Sequence, residues 1–376
     1  MNGERGLLVL LAAGGTGGHL FPAFALAEEL ARRGVVVDLV TDERGDRYGT
    51  GFPARQVHQV PSATLAGRSP AAVIRTGWKL SSGLARAVRL MGRLSPAAVV
   101  GFGGYPTVPP LLAATLRRIP TAVHEQNAVL GRANKLLAPR VSTIATSFET
   151  VRNVPAALAP KVRLVGNPVR DQVLRAARQD YAPPAEGGQL RLVVFGGSQG
   201  ARFFSDAVPV ALAALPPSLR ANLHVVQQAR DEDLERVRHS YRTSGITAVV
   251  EPFFRDLPER MADAHFVVAR AGASSVAELT VLGRPSLLVP LPHALDNDQL
   301  YNATRLAESG GAWCIAQKDL TADRLAAELA ALLTSPARLN SAAIAAKKQG
   351  RPDAVERLAD VVCELAAGTA SERGAA

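Results

Sequence analysis

A short apolar run, unbroken at Leu7–Ala12 and interrupted only by Arg191 at Leu190–Phe195, is followed at once by clustered glycines and then by a helix-forming stretch twice in this chain. Leu7–Ala12 leads into AAGGTGGHLFPA at residues 12–23, and Leu190–Phe195 leads into GGSQGA at residues 196–201. An unbroken apolar run of strand length suits a strand covered on both faces, as in a parallel sheet. The glycines then permit a sharp turn and a close backbone approach, because no Cβ obstructs either. Each opening predicts the first βα unit of a separate domain, and a chain of 376 residues exceeds the length at which single cores usually stop growing.

The flanking segments repeat the same grammar. Pro22–Arg33 predicts a helix and Val35–Val40 the next strand, entered through Gly34. Ser95–Gly101, Pro120–His124 and Val141–Thr146 predict further strands of the first sheet. After the loop Tyr181–Gln189 and the restart at Leu190, strands are expected at Leu223–Gln227, Thr247–Val250, His265–Ala269 and Ser286–Val289. Helical runs lie between them at Phe204–Leu215, Asp231–Ser240, Ser274–Leu282 and Asp298–Ser309. The fold class expected is α/β, with two Rossmann-like domains facing across a cleft. The expected partition is 1–166 and 167–350, with a hinge near Gly166–Arg170. A C-terminal helix follows within 351–367, packing back toward the first domain through Val355, Leu358, Ala359, Val362 and Leu365. The terminal GTASERGAA reads as a loose tail.

Charge separates the two halves. Residues 1–168 carry 20 basic and 9 acidic side chains, whereas residues 169–376 carry 23 and 24. All of the formal +10 therefore belongs to the first half, and from Arg47 to His124 there is no Asp or Glu against ten Lys/Arg. Such a segment attracts an anion: nucleic acid, a membrane surface or a phosphorylated substrate. With aromatics at only 5%, a nucleic-acid surface built on stacked bases is disfavoured. Cys314 and Cys363 are the only cysteines and form no CxxC, which argues against a thiolate zinc site or a disulfide scaffold and suits a reducing cytoplasm. The histidines make no compact metal pattern, and no apolar run reaches the roughly 20 residues of a membrane span.

Three glycine loops are each predicted to follow a strand: GGTGGH at 14–19, GFGGY at 101–105 and GGSQG at 196–200. Backbone amides in such loops, with the helix starts behind them, can hold phosphate. None has the spacing of a nicotinamide fingerprint or a Walker A loop. Tight βα turns also use glycine for purely structural reasons, but three such loops divided between a basic and a neutral half suggest separate diphosphate-bearing ligands. His19 closes the first loop at a helix start, where its proton affinity should fall toward that of a neutral general base. It could equally cap its own helix.

GGTGGHLFPAFALAEEL, GFGGYPTVPP, HEQN at 124–127, GNPVR at 166–170, GGSQGA, RAGASSVAEL at 270–279 and DNDQLYNA at 296–303 occur together in order. This ordered set resembles a family of bacterial peptidoglycan glycosyltransferases of the two-Rossmann GT-B type. Its members move N-acetylglucosamine from UDP to the C4 hydroxyl of undecaprenyl-diphospho-muramoylpentapeptide, with inversion, to form lipid II. The resemblance implies an acceptor site in the first domain and a UDP-sugar site in the second. It places His19 as the base, with His124 and Glu125 as competitors. It places Thr16, Gly17, Gly18, Asn127, Arg170, Ser198, Ala273, Ser274, Ser275, Glu278 and Gln299 around the donor, Glu278 toward the ribose. Asp298 departs from the family block, which often has Gln or His there, and a contact from it is in doubt. No cofactor beyond the donor UDP-N-acetylglucosamine and no obligatory metal are expected, since no DxD accompanies a donor loop.

Residues 71–93 of the acid-free segment, if helical, gather Val73, Trp78, Leu84 and Val88 on one side and Arg75, Lys79, Arg86, Arg89 and Arg93 on another. Ser81-Ser82-Gly83 makes one uninterrupted helix less secure. The pattern fits a core helix with a solvated face; a lipid-carried acceptor makes it fit an anionic membrane surface as well. The expected location is the cell membrane, peripheral and on the cytoplasmic side, with a cell-wall synthesis complex as a further partner. A nucleic-acid-binding protein, another GT-B transferase with a lipid or small-molecule acceptor, and a sugar-nucleotide epimerase of the same fold are the rival classes, and HEQN beside the acceptor-side glycine loops disfavours the epimerase.

Overall fold

The computed structural model describes residues 7–14, 17–42, 51–61, 70–197 and 200–374, apart from the side chains of 70–80, 295 and 369–374. The chain divides into two compact units, Met1–Arg170 with Asp353–Ala376, and Asp171–Pro352.

The first unit is built on a seven-stranded parallel sheet. Its strands are β1 (Leu8–Ala12), β2 (Val36–Thr41), β3 (Gln56–Gln59), β4 (Ala98–Gly101), β5 (Thr121–Glu125), β6 (Thr143–Thr146) and β7 (Val162–Leu164), in the order β3-β2-β1-β4-β5-β6-β7. Alternate residues of β1 feed two cores. Val9 and Leu11 pack with Leu26 and Leu30 of the Gly17–Arg32 helix and with Leu358 and Val362 of the C-terminal helix. Leu10 and Ala12 pack with Met91, Leu111 and Leu137 on the other face. Strands covered in this way must be apolar at every position, which is why β1 reads as a continuous run. The C-terminal helix, Ala354–Gly374, belongs to this unit and is tied to it by Arg33–Asp360 (2.6 Å) and Arg163–Glu364 (3.0 Å). It continues well past the expected end at 367, so residues 368–374 are helix rather than a loose tail; extending a helix that packing has already nucleated costs little.

The second unit repeats the design with β8 (Leu190–Phe195), β9 (Leu223–Gln228), β10 (Thr247–Glu251), β11 (Phe266–Ala269), β12 (Ser286–Leu288) and β13 (Ala312–Cys314), in the order β10-β9-β8-β11-β12-β13. Every strand pair in both sheets is parallel. Each sheet starts at its centre and winds outward in both directions, so the chain direction reverses beside β1 and again beside β8. Loops from the carboxyl ends of β1 and β4, and of β8 and β11, open at these switch points, where doubly wound sheets bind ligands.

Three short edge strands, β3, β7 and β13, were not expected; β3 and β7 carry no apolar run, and β13 takes only three residues of the apolar run 312–316. β3 is mostly exposed and is held by Asp38, a buried β2 carboxylate that accepts from Arg55 Nε (2.9 Å) and Nη2 (2.8 Å) and pairs with His58 Nε2 at 2.8 Å. The first helix begins at Gly17, five residues before the expected Pro22, which leaves the proline inside it.

Pro70–Leu94 is one helix through Ser81-Ser82-Gly83. Beyond residue 80 it is a core helix: Ala87, Leu90 and Met91 are buried, while Arg86, Arg89 and Arg93 are exposed. Gly83 is required by sterics, since a Cβ there would lie 2.2 Å from the Pro61 carbonyl oxygen. Gly83→Ala should therefore lower the unfolding free energy by about 1–3 kcal/mol despite the better helix propensity of alanine. Chemical denaturation of the two proteins checks this, and an unchanged or raised midpoint would contradict the steric account.

Candidate active site

In the first unit, β1 and β4 lie side by side with Ala12 opposite Gly101, so their two glycine loops emerge together. Gly103 and Gly104 adopt φ of 84° and 75°, the left-handed region that glycine enters without strain. The His19 ring lies directly against them: a Cβ on Gly103 would sit 3.3 Å from His19 Cε1, and one on Gly104 3.5 Å from Cδ2. Gly17, Gly18 and His19 form the first turn of their helix, whose amides have no carbonyl one turn earlier to bond. His19 is partly exposed, yet its Nδ1 is buried without a partner at hydrogen-bond geometry. Burial lowers its proton affinity, against the opposing influence of the Gln126 side chain and the Phe102 backbone. The direction matches the expectation for a helix start, but the dominant cause is burial.

His124 and Glu125 end β5 and are both buried. His124 Nε2 donates to the Gly166 carbonyl (2.9 Å), so Nδ1 is the acceptor and receives Gln126 Nε2 at 3.3 Å. Burial holds its pKa down at about 4, with the nearby His19 adding to the effect. Both ring nitrogens are thus engaged within the protein. Glu125 is a hub: Oε1 accepts from the Asn127 amide (3.0 Å) and Nδ2 (3.3 Å), Oε2 from the Gly131 amide (2.8 Å) and Asn134 Nδ2 (2.9 Å). Burial raises its proton affinity, and these four donors oppose the rise. Its carboxylate therefore orients Asn127, which is half-buried at the loop's start. Arg170 places its guanidinium 5.3 Å from the Phe21 ring centroid, one helical turn from Gly18.

The same end of the sheet holds unspent polar capacity that the motifs did not disclose. Asn134 Oδ1, Thr146 Oγ1 and both polar atoms of Asn167 are buried without a protein partner. Buried groups left this way need an explanation, and a ligand site supplies one. Asn167 and Gln126 stand inside GNPVR and HEQN and could have been read there; Asn134, in GRANKLL, carried no such signal.

In the second unit, β8 and β11 end side by side, with Phe195 opposite Ala269. Gly196 makes the tight turn, since a Cβ there would fall 2.4 Å from the Ala201 amide nitrogen. The Ala273–Leu282 helix starts after Gly272, and no side chain caps it, so the amides of Ala273, Ser274 and Ser275 keep their donors. Ser274 Oγ is buried without a partner. Glu278, one turn further, is buried rather than solvated on the helix surface. Gln299 Oε1 accepts from the Ala271 (3.2 Å) and Leu291 (3.0 Å) amides, which leaves its NH2 to donate elsewhere. Asp298 Oδ1 accepts from the Gln299 amide (2.7 Å), and burial raises its proton affinity. Arg270 opens the RAGASSVAEL motif, and nothing in the motif itself discloses its role. It is buried, donates to the Val289 (3.0 Å) and Pro290 (3.2 Å) carbonyls and to Gln317 Oε1 (2.5 Å), and so holds the strand ends beneath the helix start. Thr16 and Ser198 lie outside the described residues. Among the described residues no group of three or more His, Cys, Asp or Glu side chains could hold a metal ion, and no helix is long and apolar enough to cross a membrane.

Two Rossmann-like units, each with a glycine turn at its switch point, define a glycosyltransferase of the GT-B fold. Residues 9–146 match the glycosyltransferase family 28 N-terminal domain and residues 191–358 its C-terminal domain. A relative from Rhodopseudomonas palustris is 56% identical over 359 residues, covering 96% of this chain and 98% of its own. It is a UDP-N-acetylglucosamine–N-acetylmuramyl-(pentapeptide) pyrophosphoryl-undecaprenol N-acetylglucosamine transferase, as is a Methylobacterium relative 56% identical over 360 residues, covering 96% of this chain and 97% of its own. The chain belongs to this transferase family. The crystal structure of Acinetobacter baumannii MurG superposes with a TM-score of 0.79 at 28% identity, covering 95% of this chain and 99% of that one. A UDP-N-acetylglucosamine 2-epimerase shares the fold at a TM-score of 0.63 and 16% identity, covering 94% of this chain and 95% of its own.

The buried histidines set a pH dependence. An unfolded histidine binds its proton near pH 6.5, whereas folded His124 and, in the second unit, His265 resist protonation until about 4. The unfolded state thus binds more protons in between, so stability falls as pH drops from about 6.5 toward 4. His124→Gln should flatten this slope by up to one proton's worth, about 1.4 kcal/mol per pH unit. Urea unfolding across pH 4.5–7.5 measures it, and an equal slope in the variant would refute the assignment.

Proposed function

We propose that the chain transfers N-acetylglucosamine from UDP-N-acetylglucosamine to the C4 hydroxyl of undecaprenyl-diphospho-muramoylpentapeptide, inverting the anomeric carbon and forming lipid II. The observation that carries the reading is the His19 ring seated on the Gly103–Gly104 turn, in a chain whose relatives are named for that donor and acceptor. The acceptor oxygen attacks the anomeric carbon, the bond to the UDP oxygen breaks, and its electron pair leaves with the diphosphate. The hydroxyl proton passes to His19, whose lowered proton affinity keeps it neutral beforehand. His124 and Glu125 serve as framework in this reading, because their polar atoms are already engaged.

The leaving diphosphate is met by the amides of Ala273–Ser275, by Arg170 and by Ser198. Glu278 accepts from the ribose hydroxyls. Gln299, anchored through Oε1, donates its NH2 to the sugar or the neighbouring nucleotide, and Asn127, oriented by Glu125, contacts the donor sugar. Thr16, Gly17 and Gly18 approach the donor while the first two glycine loops surround the acceptor diphosphate. With donor and a lipid-diphosphate acceptor supplied, the purified protein should form the disaccharide product and no epimer. His19→Ala should lower turnover by about 10²–10⁴-fold while donor binding persists; full turnover in that variant would remove His19 from the role of base.

The acid-free segment supports peripheral attachment to the cytoplasmic side of the cell membrane, where the lipid-borne acceptor is held and a cell-wall synthesis complex would assemble. Arg86, Arg89 and Arg93 project from the long helix, and the packed Val108–Leu116 helix ends on the exposed Leu116, with Arg117 and Arg118 following it. Basic side chains beside apolar ones suit an anionic leaflet. The protein should sediment with vesicles containing anionic lipid, and release should follow added salt or charge reversal at Arg75 and Lys79. Binding indifferent to lipid charge, to salt and to those reversals would discard the proposal.

A further inference from the structure

The glycine loop of the second unit joins the end of β8 to the Arg202–Ala213 helix, and its two ends touch: Gly196 leaves no room for a Cβ against the Ala201 amide. Wherever Gly196 is held, the helix start must follow. That helix has no side-chain cap, so the amides of its first turn keep their donors. What holds Gly196 is Gln228, the last residue of β9, which lies outside the ordered motifs. Its Oε1 accepts from the Gly196 amide (3.1 Å), and its Nε2 donates to the Pro252 carbonyl (3.1 Å) just beyond β10. The amide orientation is determined, because a flip would set NH2 against an N–H and oxygen against a carbonyl. Gln228 is buried and bridges the carboxyl ends of three adjacent strands, β8, β9 and β10. Its neighbour Gln227 faces the other side of the sheet, where it donates to the Phe204 carbonyl (3.2 Å) and accepts from the Tyr241 hydroxyl.

We propose that Gln228 is a positioning residue for the transfer: by fixing the Gly196 amide it sets the loop and helix start at which the donor diphosphate is received. This rests on the reading of that loop as a diphosphate site through Ser198. A diphosphate is met by several donors at once, and a loop free to tilt would have to be ordered by the ligand itself, at a cost in affinity. Gln228 spares the ligand that ordering. It touches neither donor nor acceptor in this account; it acts through Gly196.

Gln228→Met keeps the side-chain length and removes both hydrogen bonds. Its calorimetric Kd for UDP-N-acetylglucosamine and its donor KM should rise about tenfold, while the acceptor KM stays at the wild-type value. Gln227→Met loses two buried hydrogen bonds on the same strand; it should unfold at lower urea concentration with donor affinity unchanged. An equal rise of donor Kd in both variants, or none in a folded Gln228→Met, overturns the role of Gln228. Gln228→Glu carries the test if the Met variant does not fold. Its protonated carboxyl makes both bonds, whereas the ionised form turns an oxygen on the Pro252 carbonyl. Donor affinity relative to wild type should therefore recover as pH falls from about 8 to about 6, burial having raised the carboxyl's proton affinity; a flat ratio overturns the proposal. Wild-type donor affinity in Ser198→Ala overturns the reading of the loop instead, and this inference with it.

Discussion

Each unit depends on burying a parallel sheet on both faces. Once β1 has Leu26, Leu30 and Leu358 on one side and Met91 and Leu111 on the other, its backbone polar groups can be satisfied only by neighbouring strands. The chain must then leave the sheet at the strand's carboxyl end, in a turn tight enough to start a covering helix. Glycine supplies that turn, and the helix start brings unpaired amides to the same spot. Structural necessity and anion-binding capacity are thus one feature, made at β1 and β4 and again at β8 and β11.

On that frame, polar groups are added sparingly and nearly all are fixed by others. Glu125 gathers four donors, Gln299 is held by two amides, and Arg270 ties two carbonyls and a glutamine. A side chain anchored through some of its atoms presents the remainder in a set direction, which limits the ordering a ligand must impose. His19 is the contrasting case, since its buried nitrogen is not yet satisfied. Under the proposed mechanism this imidazole gains and loses a proton, which needs an environment stable toward both forms.

Much of the plan was legible in the chain. The central strands, the glycine turns and the helix beginning near Ala273 follow from local rules of periodicity and turn chemistry. β3 and β7 escaped because they are short edge strands without an apolar run, and β13 because only three residues of its apolar run are strand; β3 depends on Asp38, a residue from another strand. In the sequence Ser81-Ser82-Gly83 looks like a weak point of the helix, whereas the Pro61 carbonyl makes Gly83 a requirement. Pro22 was placed at a helix start and lies inside the helix, because the glycines before it join the first turn.

From sequence alone came the two-domain α/β plan, the basic character of the first half and the ordered motifs that mark the transferase family. These are properties of spacing and composition, which act locally and survive without coordinates. What only the tertiary structure decided is which of the motif residues are buried and who satisfies them. Glu278 proved buried, His124 lost both ring nitrogens to internal partners, Asn134 and Asn167 were revealed as holding unspent capacity, and Gln126 was fixed by the Phe102 carbonyl and His124. Desolvation is set by whatever distant segment folds over a group, and no local pattern in the chain encodes it.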